Sequence, residues 1–173
     1  QPGYALLGIE SSGIHSNGYS LARKIFFEKL GLDVSDRIEE LDATVGEALL
    51  EPTLIYTKAV QDLLTAFPGQ IQSMAHITGG GMPNKLPNAL PDGLGAQVYT
   101  DSWNVHEIFD YMAKHGPVDV DEMRNTFNMG LGMVAVVRDE GAISEMQSRL
   151  SREHGLKSYQ VGQIVEEAGV DYV

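Results

Sequence analysis

Three short loops carry the residue types that could do chemistry. The first, Gly13-Ile-His-Ser-Asn-Gly18, has the glycine spacing of a phosphate-cradling P-loop, with Ser20 where a magnesium-binding hydroxyl would stand. Tyr19 occupies the place of the lysine that must reach the β- and γ-phosphates, so a Walker A site is excluded. What remains is a Gly-rich turn with Ser11, Ser12, His15, Ser16 and Asn17 as short polar groups. Such a turn can present backbone N–H groups and a positive helix end to an anion. It can equally be a plain tight turn in which Asn17 is the helix cap. The second loop, Ala75-His-Ile-Thr-Gly-Gly-Gly81, places His76 and Thr78 beside three glycines. Each costs roughly 0.5–1 kcal/mol of chain entropy against alanine, which points to a close backbone approach, to a ligand or another chain, or to a hinge. The third, Thr126-Phe-Asn-Met-Gly-Leu-Gly-Met133, holds Asn128, which could bond a ligand or simply end a helix in a left-handed conformation.

The rest of the composition narrows the field. Among 173 residues, 24 are Asp or Glu and 12 are Lys or Arg, a formal net charge of −12. That charge opposes a phosphodiester backbone or an anionic membrane surface, so nucleic acid and membrane are excluded as partners. Any phosphorylated small molecule must be held by local dipoles against the global field. Cysteine is absent, which removes disulfides, thiolate nucleophiles and thiolate metal sites and permits a reducing, cytoplasmic location. The five histidines lack metal-ligand spacing, and the carboxylates Glu107, Asp110, Asp119, Asp121 and Glu122 form no acid/base pair by spacing, so no metal is expected. No apolar run reaches the ~18–20 residues of a membrane span, and the Gln1-Pro-Gly3 start is no signal peptide.

The loops need elements to hold them. Hydrophobic patterning predicts strands over residues 4–9, 73–78, 95–100, 131–138 and a final one at 159–165. Helices are expected from Tyr19 to Leu30, over residues 46–52, from a Thr53 cap to Pro68, in an interrupted piece at 82–90, and at 105–114, 119–126 and 142–153. Residues 33–42 read as a loop with little regular structure. Alternating strands and helices without repeats make one α/β or α+β domain with a mixed sheet.

Taken together, the three loops occur in the same order and at similar spacing in the phosphoribosylformylglycinamidine cyclo-ligase (aminoimidazole ribonucleotide synthetase) family. The supporting stretches are Leu49-Leu-Glu-Pro-Thr-Leu-Ile-Tyr56, Asn84-Lys-Leu-Pro-Asn-Ala-Leu-Pro91 and Trp103 followed by Ile108-Phe109. Over nearly its whole length the chain resembles the C-terminal domain of that family. The resemblance implies a three-layer α/β/α domain with a mixed sheet, partly ferredoxin-like in topology. It implies that the N-terminal ATP-binding domain has no counterpart here, so that residues 1–173 are a single domain or fragment, inactive by itself.

The family uses ATP and Mg2+ to activate the formyl oxygen of formylglycinamidine ribonucleotide. It then closes the imidazole ring, releasing aminoimidazole ribonucleotide, ADP and phosphate in purine biosynthesis. Carried over, Ser12, Gly13, His15, Ser16 and Asn17 would contact substrate or phosphate from the first loop; His76, Thr78, Gly79 and Gly80 would line the cleft from the second, and Asn128 from the third. His15 and Asn17 are expected to orient substrate rather than exchange protons. No catalytic residue is assigned, and neither ATP nor Mg2+ is expected to bind this chain alone. The implied partners are a small ribonucleotide, the N-terminal domain and, in the full enzyme, a second copy in a homodimer.

The chain departs from the family pattern at Tyr4, where an acidic residue is usual, around Val105-His106, and at Asn88, where the usual arginine would be a bidentate anion donor. The alternative is a non-catalytic binding or assembly domain of a related ATP-using protein. Selenophosphate synthetase, thiamine-monophosphate kinase, the hydrogenase maturation protein and formylglycinamidine synthetase share the architecture with different loop strings.

Overall fold

In the computed structural model, residues 1–116 and 118–173 are described. The central strand β1 (Ala5–Glu10) alternates between two cores. Ala5, Leu7 and Ile9 face one and Leu6 the other, and all four are buried. Burial on both sides makes it read as a continuous apolar run rather than an alternation of apolar and polar.

After β1 come α1 (Tyr19–Arg23), extended as a π-turn through Lys29, and a short hairpin of β2 (Arg37–Ile38) and β3 (Ala43–Thr44). There follow α2 (Val45–Leu49), α3 (Thr57–Ala66), β4 (Ile71–His76), α4 (Gly81–Lys85) and β5 (Gly95–Val98). The chain then forms α5 (Glu107–His115), α6 (Val120–Thr126), β6 (Leu131–Val137), α7 (Ile143–His154), β7 (Ser158–Val165) and β8 (Gly169–Tyr172).

Six strands form one mixed sheet in the order β4-β6-β1-β7-β5-β8, antiparallel except for the β5–β8 pair. Within it, β1-α3-β4 and β6-α7-β7 interlock as two split βαβ units, giving the ferredoxin-like order β4-β6-β1-β7. Helices α3 and α7 cover one face through Leu63, Ile143, Met146 and Leu150. The other face carries α4 and the turn Pro87–Ala89, with Met82, Leu86 and Trp103 in its core. A third cluster joins α1, α2, α5 and α6 around Phe26, Phe109 and Phe127.

Three expectations are corrected. Residues 33–42 are not an irregular loop, because the β2–β3 hairpin starts there, closed by a left-handed Asp42 (φ 48°) and the Arg37–Asp42 ion pair. Thr53 does not cap α3, which begins four residues later. Its hydroxyl instead shares a hydrogen bond with Ser16, and the preceding Pro52 carbonyl accepts one from Ser12. The strand at 158–165 is not the last. After it the chain crosses the end of β5 and returns as β8, so that β5 lies between two consecutive strands. That crossing requires Gly95, where a Cβ would collide with the Glu167 and Gly169 carbonyls. Among the described residues, no helix is long and apolar enough to cross a membrane.

Candidate functional site

Strands β1 and β4 both pair antiparallel with β6, which lies between them, so both end where β6 begins. The loops that leave β1 (residues 11–18) and β4 (residues 77–81) therefore flank the loop that leads into β6 (residues 127–130). The ladder continues into them: Ser11 N–H donates to the Gly130 carbonyl and Ile77 N–H to the Gly132 carbonyl, each at 2.9 Å.

Asn128 ties the first and third loops together. It is 4% exposed; its Oδ1 accepts from Ser11 Oγ at 2.9 Å and from Gly130 N–H at 2.8 Å, and its Nδ2 donates to the Gly13 carbonyl at 2.8 Å. The amide is thus engaged within the protein and braces the cleft. The positive-φ residues of this turn are Met129 (φ 49°) and Gly130 (φ 95°), not Asn128. Trp103 Nε1–H donates to the Met129 carbonyl, and His106 Nε2–H to the Ser11 carbonyl at 2.7 Å.

His15 is 3% exposed in a left-handed conformation (φ 56°). Its Nε2 accepts from Ser12 N–H at 3.1 Å, which places the proton of the neutral ring on Nδ1, a buried nitrogen without a partner among the described residues. Burial, then the neighbouring His76 and His106, lower its pKa to about 4, so the ring is neutral at physiological pH. Tyr56 lies 6.2 Å from the His15 ring and 6.1 Å from that of the exposed His76, and its hydroxyl donates to the Glu10 carbonyl at 2.6 Å. Burial, and then Glu10, raise the phenol pKa far above its ordinary value. This arrangement requires Gly132, because a Cβ there would fall onto the Tyr56 hydroxyl and within 2.9 Å of His15 Cε1.

Among the described residues, the backbone N–H groups of Gly13, Ile14, His15 and Ser16, and those of Thr78, Gly79 and Gly80, make no well-aligned hydrogen bond to the protein. They are donors left for an anion or for water. Asn17 brings the two sets together, with its Oδ1 3.3 Å from where a Gly79 Cβ would stand. Asn17 is not the helix cap; Gly18 (φ 80°) holds that position. Ser12 and Gly13 also line a cleft of about 460 Å3 whose far walls carry Glu47, Glu51, His106 and Glu107 and no lysine or arginine.

The structure thus gathers Ser12, Gly13, His15, Ser16, Asn17, Thr78, Gly79 and Gly80 at one end of the sheet, with His76 at its exposed edge and Asn128 beneath. Sequence reasoning did not find Tyr56, His106 and Gly132 as members. An aromatic at the end of a Pro-Thr-Leu-Ile stretch and a glycine two residues into a strand were the available signals. Among the described residues, no group of three or more histidines and carboxylates is placed to hold a metal ion.

Residues 1–173 match the family model described as AIR synthase related protein, C-terminal domain. The chain belongs to this family. A phosphoribosylformylglycinamidine cyclo-ligase of Sorangium cellulosum (strain So ce56) is 44% identical over 170 residues, 98% of this chain and 48% of the relative. One of Syntrophotalea carbinolica is 47% identical over 168 residues, 96% of this chain and 46% of the relative. This AIR synthase related C-terminal domain therefore spans about half the length of the curated relatives it matches. Among solved structures, thiamine-monophosphate kinase from Stenotrophomonas maltophilia K279a superposes with a TM-score of 0.65 at 15% identity, over 99% of this chain and 50% of that one. E. coli HypE, a hydrogenase maturation protein, gives 0.61 at 21%, over 99% and 47%. At these identities the likeness shows that the AIR synthase related domain shares their fold.

Proposed function

We propose that this chain is the substrate-holding C-terminal domain of an ATP-dependent cyclo-ligase, which closes the imidazole ring of formylglycinamidine ribonucleotide to give aminoimidazole ribonucleotide, ADP and phosphate. The observation that carries this reading is identity of 44% and 47%, across nearly the whole chain, to proteins named for that reaction. The site supports it: the N–H groups of the first two loops, with the Ser12 and Ser16 hydroxyls, suit a ribose-bound phosphate held by dipoles in an otherwise acidic protein. His15, neutral and fixed by Ser12, orients substrate. His76, Thr78, Gly79 and Gly80 line the opposite side, and Asn128 holds the loops in register.

The residues present do not fit a magnesium–triphosphate group. Among the described residues no three carboxylates or histidines converge to hold the metal ion, and the cleft beside the first loop presents no lysine or arginine to the triphosphate. In this reading ATP and Mg2+ are held by the N-terminal domain of the two-domain enzyme, a cytoplasmic homodimer, and the chain by itself turns over no ATP.

The test joins this chain to the N-terminal half of the Sorangium cellulosum relative and measures ADP and aminoimidazole ribonucleotide. Turnover by the fusion but not by the chain alone is expected. A folded fusion that forms no aminoimidazole ribonucleotide, or magnesium-dependent ADP release by the chain alone, overturns the proposal.

A further inference from the structure

On the sheet face opposite α3 and α7, beneath the third loop, lies a second cavity of about 200 Å3. Trp103, Phe127 and Tyr172 form aromatic walls, and Asp110 and Arg124 bring one charge of each sign. The volume is below the roughly 300–1,000 Å3 of sites for drug-sized ligands, which suits one planar ring system and not a nucleotide.

Arg124 is the unusual member. Its guanidinium stacks on the Tyr172 ring at 4.0 Å, and its ion pair with the exposed Asp121 is a loose 3.8 Å contact. Among the described residues, neither the guanidinium nor the half-buried Tyr172 hydroxyl makes a hydrogen bond to the protein, and both residues line the cavity. Burial raises the Tyr172 pKa to about 12, which keeps the phenol a neutral donor. The Trp103 indole N–H is already engaged by the Met129 carbonyl, so its ring serves as a wall. An apolar slot with donors at one place and a carboxylate at another matches a flat ring that carries both a carbonyl and an N–H.

We propose that this cavity binds a planar heteroaromatic lactam of nucleobase size, with its ring against Trp103 and Phe127, its carbonyl toward Arg124 and Tyr172, and its ring N–H toward Asp110. The site is separate from the loop cradle and does not depend on the cyclo-ligase reading. It shares Asn128 and Met129 with the third loop, so an occupant touches the residues that hold the cradle together.

Trp103 is the single tryptophan of the sequence, which makes the test local. Hypoxanthine is titrated into the full chain while Trp103 fluorescence and the indole N–H resonance are followed. Saturable quenching is expected, weakened roughly tenfold for adenine, which has an amino group in place of the carbonyl, and by a similar factor in Arg124→Met. Val120→Phe, at an exposed position on the cavity wall, is expected to abolish it. Circular dichroism establishes that each variant is folded; if Arg124→Met is not, Val120→Phe and the adenine comparison decide. Quenching that does not saturate, that is equal for the two bases, or that persists in folded Val120→Phe overturns the proposal.

Discussion

Ser11 and Asn128, 117 residues apart in sequence, are joined side chain to side chain at 2.9 Å inside the protein. That bond, with the donation from Asn128 to the Gly13 carbonyl, makes the loop after β1 and the loop before β6 a single structural unit. Asn128→Ala leaves the Ser11 hydroxyl, the Gly130 N–H and the Gly13 carbonyl without their partner. Buried polar groups stripped of a partner cost about 1–3 kcal/mol each, and partial relaxation brings the expected loss of unfolding free energy to about 2–4 kcal/mol. Urea denaturation measures it; a change within error of zero would mean that the loops are held by other contacts.

Gly132 and Tyr56 compete for one space. Gly132→Ala is expected to destabilise the domain by about 1–3 kcal/mol, since the new methyl group meets the phenol and the His15 ring. Tyr56→Phe removes the nearest clashing atom, so the double variant should lose less than the sum of the two single variants. Additive losses in thermal or urea denaturation would place the strain elsewhere.

His15 sets an acid limit on stability. Its folded pKa, about 4, lies below the 6.5 of an unfolded histidine. The unfolded chain therefore binds a proton first, and stability falls as pH drops from about 6.5 to about 4, by at most about 3 kcal/mol. Above pH 6.5 the contribution is constant. The difference in stability between wild type and His15→Gln should change across this window and be flat from pH 7 to 8. A difference that stays level through the acid range would show that His15 titrates normally in the folded protein.

Asp62 forms the clasp between α3 and α7. Arg149 donates two hydrogen bonds to its carboxylate at 2.7 Å and His154 lies 3.1 Å away; these hydrogen bonds, Arg149 first, lower its pKa to about 2. A depressed carboxyl pKa means that the stabilisation is present above about pH 4 and is lost as pH falls toward 2. Asp62→Asn should lower the melting temperature at pH 7, and less so in high salt, because the group faces solvent. A salt-independent effect would point to packing rather than charge.

Much of this could be read from the chain because the signals were local. The apolar run expected as a strand at residues 4–9 and the helices expected at 119–126 and 142–153 each follow from near neighbours, and they formed within a residue of those bounds as β1, α6 and α7. The failures were non-local. Thr53 has the chemistry of a cap, but Ser16 across the cleft engages its hydroxyl. The short β8 is a strand because it pairs with β5, 74 residues earlier in register. From its neighbours Asn128 could bond a ligand or end a helix, and its three partners within the protein are set by the fold.

By itself, then, the sequence determined the kind of chain this is: an acidic, cysteine-free α/β domain whose three glycine-bearing loops are distinctive enough to carry a family resemblance. Composition and short-range periodicity specify these things, since each depends on residue types within a turn or two of one another. The tertiary structure alone decided that the three loops share one end of the sheet, because that follows from β6 lying between β1 and β4. It alone decided which polar groups are engaged inside the protein, since a hydrogen-bond partner more than a hundred residues away leaves no mark on its neighbours in the sequence.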